Sequence, residues 1–304
     1  MLRRRTVLTL LFAVLFSRAS FADSGILLLA HGGSAEWNAR VTELTATVNA
    51  TRPTEVAFGM ATRATIQSAI DKLVARGVTE IVAVPLFVSS WSSVITSSEY
   101  LLGLRKEAPP ALAIYAKMNH APAASSPAAA AGHEGHSSSP DGTTPVRSPV
   151  PVRMTPALND HPVVADILTS RARAISRDQA GEALIVVAHG PNEDADNARW
   201  LADMRVIAQR IGRTERFGAI EYLTLRDDAP KPVRDAVTAQ LRSLVQRELS
   251  AGRRVLIVPL LISFGGIEKG LRERLNGLSY TLADAALMPD DRMAAWVLAM
   301  ADRR

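Results

Sequence analysis

The sequence predicts a duplicated α/β protein, two parallel-sheet domains with helices on both faces. Three observations carry this. The apolar runs Ile26–Ala30 and Leu184–Ala188 each lead into Ala-His-Gly, at His31 and His189. Each is followed by apolar residues at helical spacing and by an Asn-Ala-Arg triplet, starting at Asn38 and Asn197. Further on, "IDKLVARGVTEIVAVPLFVSS" and "LRSLVQRELSAGRRVLIVPLLISF" repeat one order of helix, turn and strand, with Pro85 aligned on Pro259.

Each element follows from local chemistry. The strands are apolar without polar alternation, as expected when both faces of a parallel sheet are covered. Gly77 and Gly252 stop the helices before the "IVAVPLFVS" and "VLIVPLLIS" strands. Each half therefore reads strand, His-Gly loop, helix, strand, helix, strand. The second half is longer between its landmarks, and the extra length is expected in "LRDDAPKPVRD", Leu225 to Asp235.

The segment from His120 to Pro151 is rich in Ala, Ser, Pro and Gly. Such a composition offers too little apolar surface to offset ordering entropy, so a disordered insertion is expected there. Its flanks, "LAIYAKM" and "VPVRMTPALNDHPVVADILTSRARAI", complete the first half with a strand and a helix. The first domain is expected over residues 23–175, with the insertion at about 120–151, and the second over 182–304.

The N-terminus reads as an export signal. Arg3, Arg4 and Arg5 precede the apolar Thr6–Phe16, and Ser20 and Ala22 suit cleavage after Ala22. The apolar run falls short of the roughly 20 residues of a membrane span. Residues 1–22 are thus expected to be removed, leaving a periplasmic or otherwise exported protein with no membrane partner. The adjacent arginines leave Sec and twin-arginine export both open.

Composition narrows the function. The chain is 47% hydrophobic but only 5% aromatic, which favours an aliphatic core. It has no cysteine, which excludes thiolate metal sites and disulfides within it. The net charge of +5 comes from scattered residues, and neither a basic block beyond the N-terminus nor an aromatic platform points to nucleic acid. GxGxxG and P-loop motifs are absent, and no organic cofactor is expected.

His31 and His189 stand where strands of a parallel sheet end, the usual place for ligands. Gly32 and Gly190 allow a sharp turn and close approach of a ligand. A neutral imidazole there can ligate a metal or accept a proton, its ordinary pKa being about 6.5. Capping or packing is the plainer alternative for both. A phosphohistidine mechanism would need an arginine beside the nucleophile, where the chain has Ala30 and Ala188. His133 and His136, with Glu134, form an HEGH cluster in the insertion that could collect metal ions, more weakly than a built site.

The "AHG" loops, the "GVTEIVAVPLFVSS" strand and the "TPALNDHPVVADILTSRA" segment together resemble the sirohydrochlorin chelatases, the class II tetrapyrrole chelatases. The long members of that family are duplicated. The resemblance implies insertion of a divalent metal, Co2+ or Fe2+ as substrate, into a sirohydrochlorin-type tetrapyrrole. By this likeness His31 is the catalytic residue and metal ligand, His189 is its equivalent, and Gly32 and Ser93 border the tetrapyrrole. The family's second histidine is replaced by Ser93 in the first half and Ile267 in the second, and an acidic residue by Met60. Glu99 and Glu268 are possible substitutes. His161, in "NDHP", is expected to start a helix. The duplication implies an internal pseudo-dimer that needs no further subunit. The competing expectation is an exported, non-catalytic binder of metal or tetrapyrrole derived from a chelatase.

Overall fold

The computed structural model describes residues 24–120 and 142–303. The signal-like residues 1–22, together with His133 and His136, lie outside them.

The first half runs β1 (Ser24–Ala30), α1 (Ala35–Asn49), β2 (Thr54–Phe58), α2 (Arg63–Ala75), β3 (Glu80–Pro85), α3 (Ser93–Leu101), α4 (Pro110–His120), β4 (Val152–Met154) and α5 (Pro162–Ile175). The second runs β5 (Glu182–Ala188), α6 (Asp194–Thr214), β6 (Ala219–Thr224), α7 (Lys231–Ser250), β7 (Arg254–Leu260), α8 (Ile267–Arg274), β8 (Thr281–Leu282) and α9 (Asp291–Asp302). Two parallel sheets result, ordered β2-β1-β3-β4 and β6-β5-β7-β8. The duplicated α/β fold is therefore present, with helices on both faces of each sheet.

The strands bury both faces because their residues serve two cores. Ile26, Leu28 and Ala30 of β1 point into one large cluster with Leu184, Val186 and Ala188 of β5. Leu27 and Leu29 point the other way, into an outer core with α2 and α3. Ile185 and Val187 do the same with α7. The inner core is thus shared by both halves.

The closing helices cross over. Helix α5, from the first half, packs on β7 of the second, and α9, from the second, packs on β3 of the first. Each is fixed at its C-terminus by an arginine from the sheet it covers. Arg254 Nη1 donates to the Ile175 carbonyl at 2.9 Å, and Arg153 Nη2 donates to the Ala301 carbonyl at 2.6 Å. A guanidinium there satisfies a terminal carbonyl and meets the negative end of the helix dipole.

Two expectations are corrected. Residues 142–151 are not a disordered stretch. The Val146 amide donates to the Leu101 carbonyl at 2.8 Å, Arg147 exchanges two bonds with Gln67, and Val146 and Val150 pack on the outer core. Composition misses this because backbone groups do much of the anchoring. The added length of the second half also lies mainly in its helices. Helices α6 and α7 have 21 and 20 residues, against 15 and 13 in α1 and α2. "LAIYAKM" lies within helix α4.

Candidate functional site

In each sheet the chain steps outward on one side of its first strand and then returns to the other side. This reversal leaves a crevice at the carboxyl ends of β1 and β3, and another at those of β5 and β7. His31 and His189 follow β1 and β5 directly, so each stands at such a crevice.

The two loops share a device. Gly32 has φ +81° and Gly190 has φ +78°, the left-handed region that glycine enters without strain. His31 Nδ1 lies 2.6 Å from the Gly32 carbonyl, and His189 Nδ1 lies 2.8 Å from that of Gly190. A carbonyl only accepts, so Nδ1 carries the proton and Nε2 keeps its lone pair. Holding one nitrogen in this way orients the other for a metal.

Beyond that the loops differ. His31 is exposed, and among the described residues no acidic group pairs with its Nε2. Asn38 steadies the loop, accepting from the Gly33 amide at 2.9 Å and donating back to the Gly33 carbonyl at 3.3 Å. Ser34 caps α1 through the Trp37 amide. The imidazole is thus fixed at its base and open at its tip.

His189 is closed. Its Nε2 lies 3.4 Å from Asp228 Oδ2. Arg226 clamps the same loop. Its amide donates to the His189 carbonyl at 2.6 Å, its guanidinium donates to the Pro191 and Asn192 carbonyls, and Nη1 pairs with Asp194 at 2.7 Å. Arg226 is buried and holds φ +53°, a conformation costly for a side chain of its size and kept here by those four contacts. Asn197, the counterpart of Asn38, accepts from Thr224 instead. Ala30 pairs with Phe58 and Ala188 with Thr224, so Met60 and Arg226 occupy equivalent positions. Met60 packs against the outer core of the first half.

Ser93 and Ile267 are the first residues of α3 and α8. Ser93 Oγ lies 2.5 Å from Tyr115 OH, which ties it to α4, while Ile267 packs on the second outer core. Glu268 accepts from the Gly265 and Gly266 amides. Burial opposes its ionisation, but these amides and Arg272 outweigh it and hold its pKa below the usual value. It therefore caps its own helix. Glu99 lies on the last turn of α3, about 9 Å along the axis from Ser93. His161 accepts from the Val163 amide as N-cap of α5, and burial, with Arg303 and Arg210, holds its pKa low. Among the described residues no three His, Asp or Glu side chains are grouped to hold a metal.

The crevice loops meet across the halves. The loop after β3 reaches α6, where Trp200 Nε1 donates to the Trp91 carbonyl at 2.8 Å. The Arg199 guanidinium lies over the Trp91 ring, 4.4 Å from its centroid. On the other side Gly265, after β7, lies close against Trp37 of α1. Beneath Trp91, Asp203 borders a cavity with Ser89, Asn159 and Leu260. Burial first and the Asp160 charge second raise its pKa from 3.8 to about 6, and the Trp91 side chain partly counters them. Sequence reasoning missed Arg226, Asp228, Trp91 and Arg199. Each left a signal without a role: Trp91 as a lone large aromatic within "SSWSS", Arg199 as the end of the repeated Asn-Ala-Arg triplet, and Arg226 and Asp228 within "LRDDAPKPVRD".

Residues 25–117 match the CbiX family model. No curated protein matches the chain by sequence. Among solved structures, SirB from Bacillus subtilis with Fe3+ is similar at TM-score 0.59 and 14% identity, over 91% of this chain and 94% of that one. The sirohydrochlorin chelatase SirB from Bacillus subtilis subspecies spizizenii in complex with cobalt gives TM-score 0.54 and 14% identity, over 92% and 94%. CbiX, described as the terminal enzyme for biosynthesis of siroheme in denitrifying bacteria, gives TM-score 0.53 and 16% identity, over 91% and 97%. At these identities the likeness is one of fold. Residues 25–117 are thus similar to the CbiX family, and the two-sheet fold of the chain is like that of the sirohydrochlorin chelatases.

Proposed function

We propose that the protein inserts a divalent metal, cobalt or iron, into a sirohydrochlorin-type tetrapyrrole at the crevice that ends on His31. The observation that carries this is the contrast between the two imidazoles. His31 presents an open Nε2 on a fixed base, whereas His189 Nε2 faces Asp228. A lone pair held in one direction can offer the metal to one face of a macrocycle. As the metal bonds to the ring nitrogens, two pyrrole N–H protons leave, and the exposed crevice lets water carry them away. With Ser93 tied to Tyr115 and Met60 packed against the outer core, the first crevice gives the metal a single strong protein ligand. Weak holding suits a metal that must be passed on. The second half acts as a buttress.

That single ligand also favours a second reading, an exported binder that carries metal or tetrapyrrole without joining them. Anaerobic incubation with sirohydrochlorin and Co2+, followed by absorption, separates the two. Turnover above the spontaneous rate supports the enzyme, and stoichiometric binding alone supports the carrier. In the enzyme, His31→Ala should slow insertion at least about tenfold, about 1.4 kcal/mol of barrier. His189→Ala should leave the rate near wild type. A folded His31→Ala protein of unchanged melting and wild-type rate would rule out the assignment.

A further inference from the structure

We infer that Trp91 and Arg199 form a docking element for a planar, conjugated polycarboxylate at the junction of the two halves. This rests on the proposed function and specifies how its substrate is held away from the metal.

Trp91 is 38% exposed, yet its loop is anchored on several sides. The Trp91 amide donates to Ser89 Oγ at 3.1 Å, and its carbonyl takes the Trp200 indole N–H. The neighbouring Ser90 amide donates to Asn159 Oδ1 at 2.7 Å, and Ser90 Oγ accepts from both the Asn159 side chain and the Ala157 amide. Asn159 holds φ +46° to do this. Five hydrogen bonds thus fix a loop whose tip is a partly bare indole. A pre-set aromatic surface binds flat π-systems with little further ordering cost.

Arg199 supplies the charge. Its guanidinium covers one part of the ring at 4.4 Å, a cation–π contact that aims it. It pairs with Asp196 through Nη1 alone, at 3.8 Å, and the Arg199 side chain is 55% exposed. Its donors therefore remain available to an incoming carboxylate, for which a guanidinium fork is well shaped. Trp91 precedes Ser93 by two residues, on the loop that borders the His31 crevice. A macrocycle resting there would meet aromatic surface and cation from opposite halves of the chain. The first half's own Asn-Ala-Arg triplet does not repeat the device, since among the described residues Arg40 lies over no aromatic ring and its pair with Glu43 is shorter, at 3.4 Å.

The test uses the full chain and uroporphyrin, an aromatic octacarboxylate, followed by its absorption band and by tryptophan fluorescence. Trp91→Ala keeps the backbone groups that anchor the loop, so the variant should fold, as its melting curve will verify. It should weaken binding about tenfold. Trp91→Phe should restore most of that loss. Arg199→Ala should weaken uroporphyrin binding about fivefold and should not weaken binding of a tetracationic porphyrin, while Arg199→Lys should recover part of it. Failure of the wild type to bind uroporphyrin, or wild-type affinity in a folded Trp91→Ala protein, would overturn the inference. The readout is independent of catalysis. Trp91-dependent binding in a protein without insertion activity would sink the proposed function and leave this element standing. Insertion with an unchanged KM for sirohydrochlorin in Trp91→Ala would do the reverse.

Discussion

Replacing Asp203 by Asn should stabilise the protein at neutral pH. One carboxylate oxygen of Asp203 is buried without a hydrogen-bond partner. Burial and the Asp160 charge raise its pKa from 3.8 to about 6. Because the folded protein holds this proton more tightly than the unfolded chain, the group favours folding most below about pH 4. That contribution is lost as pH rises towards 6, and above 6 the charged form carries the full penalty. A rise of about two units corresponds to roughly 3 kcal/mol. Asp203 is only partly buried, so solvent screening reduces this to about 1.5 kcal/mol. Asp203→Asn removes the charge at constant shape. It should raise the melting temperature at pH 7.5 by about 3–6 °C, using roughly 2–4 °C per kcal/mol. At pH 4 variant and wild type should melt within about a degree of each other. Thermal unfolding by circular dichroism at both pH values decides it. A variant that melts lower at pH 7.5, or whose advantage is the same at pH 4, would refute the reasoning.

Three further outcomes are expected. Gly190→Ala would place a Cβ 2.5 Å from that of Thr224 at φ +78°, whereas at Gly32 the nearest atom is 3.8 Å away. Urea unfolding should show Gly190→Ala costing about 3 kcal/mol and Gly32→Ala about 1. Deleting residues 121–148 should lower the melting temperature well below that of a 121–141 deletion, because Thr144, Val146 and Arg147 bond to Arg63, Leu101 and Gln67; equal melting would refute this. On the proposal that Met1 to Ala22 is a cleaved export signal, mass spectrometry of protein from its native host should find a mature start at Asp23, and an intact Met1 would refute it.

Much of the architecture was legible because period and repetition are local properties. Runs such as Ile26–Ala30 and Leu184–Ala188 had to be covered on both faces, and Gly32 and Gly190 marked the turns where the histidines stand. Which sheet a helix covers is a long-range property. Nothing in "HPVVADILTSRARAI" says that α5 lies on β7. The candidate site was legible only in its shared part. The difference between the two loops lies in Asp228 and Arg226 beside His189, ordinary charged residues whose partners are chosen by the fold. Residues 142–151 were misread because composition records side chains, while this segment is held largely through its backbone.

The exchange of α5 and α9 has a consequence for how such a chain can change over time. Each sheet is roofed by a helix that the other half supplies, so the arrangement is that of two subunits with swapped elements joined by a peptide link. In separate chains both copies must carry the same residues, and any change is suffered twice. Once tethered, the partners meet at an effective concentration set by the link alone. One crevice is then free to collect residues such as Arg226 and Asp228, while its helix goes on completing the other. Permanent attachment lets the two halves of a symmetric pair diverge.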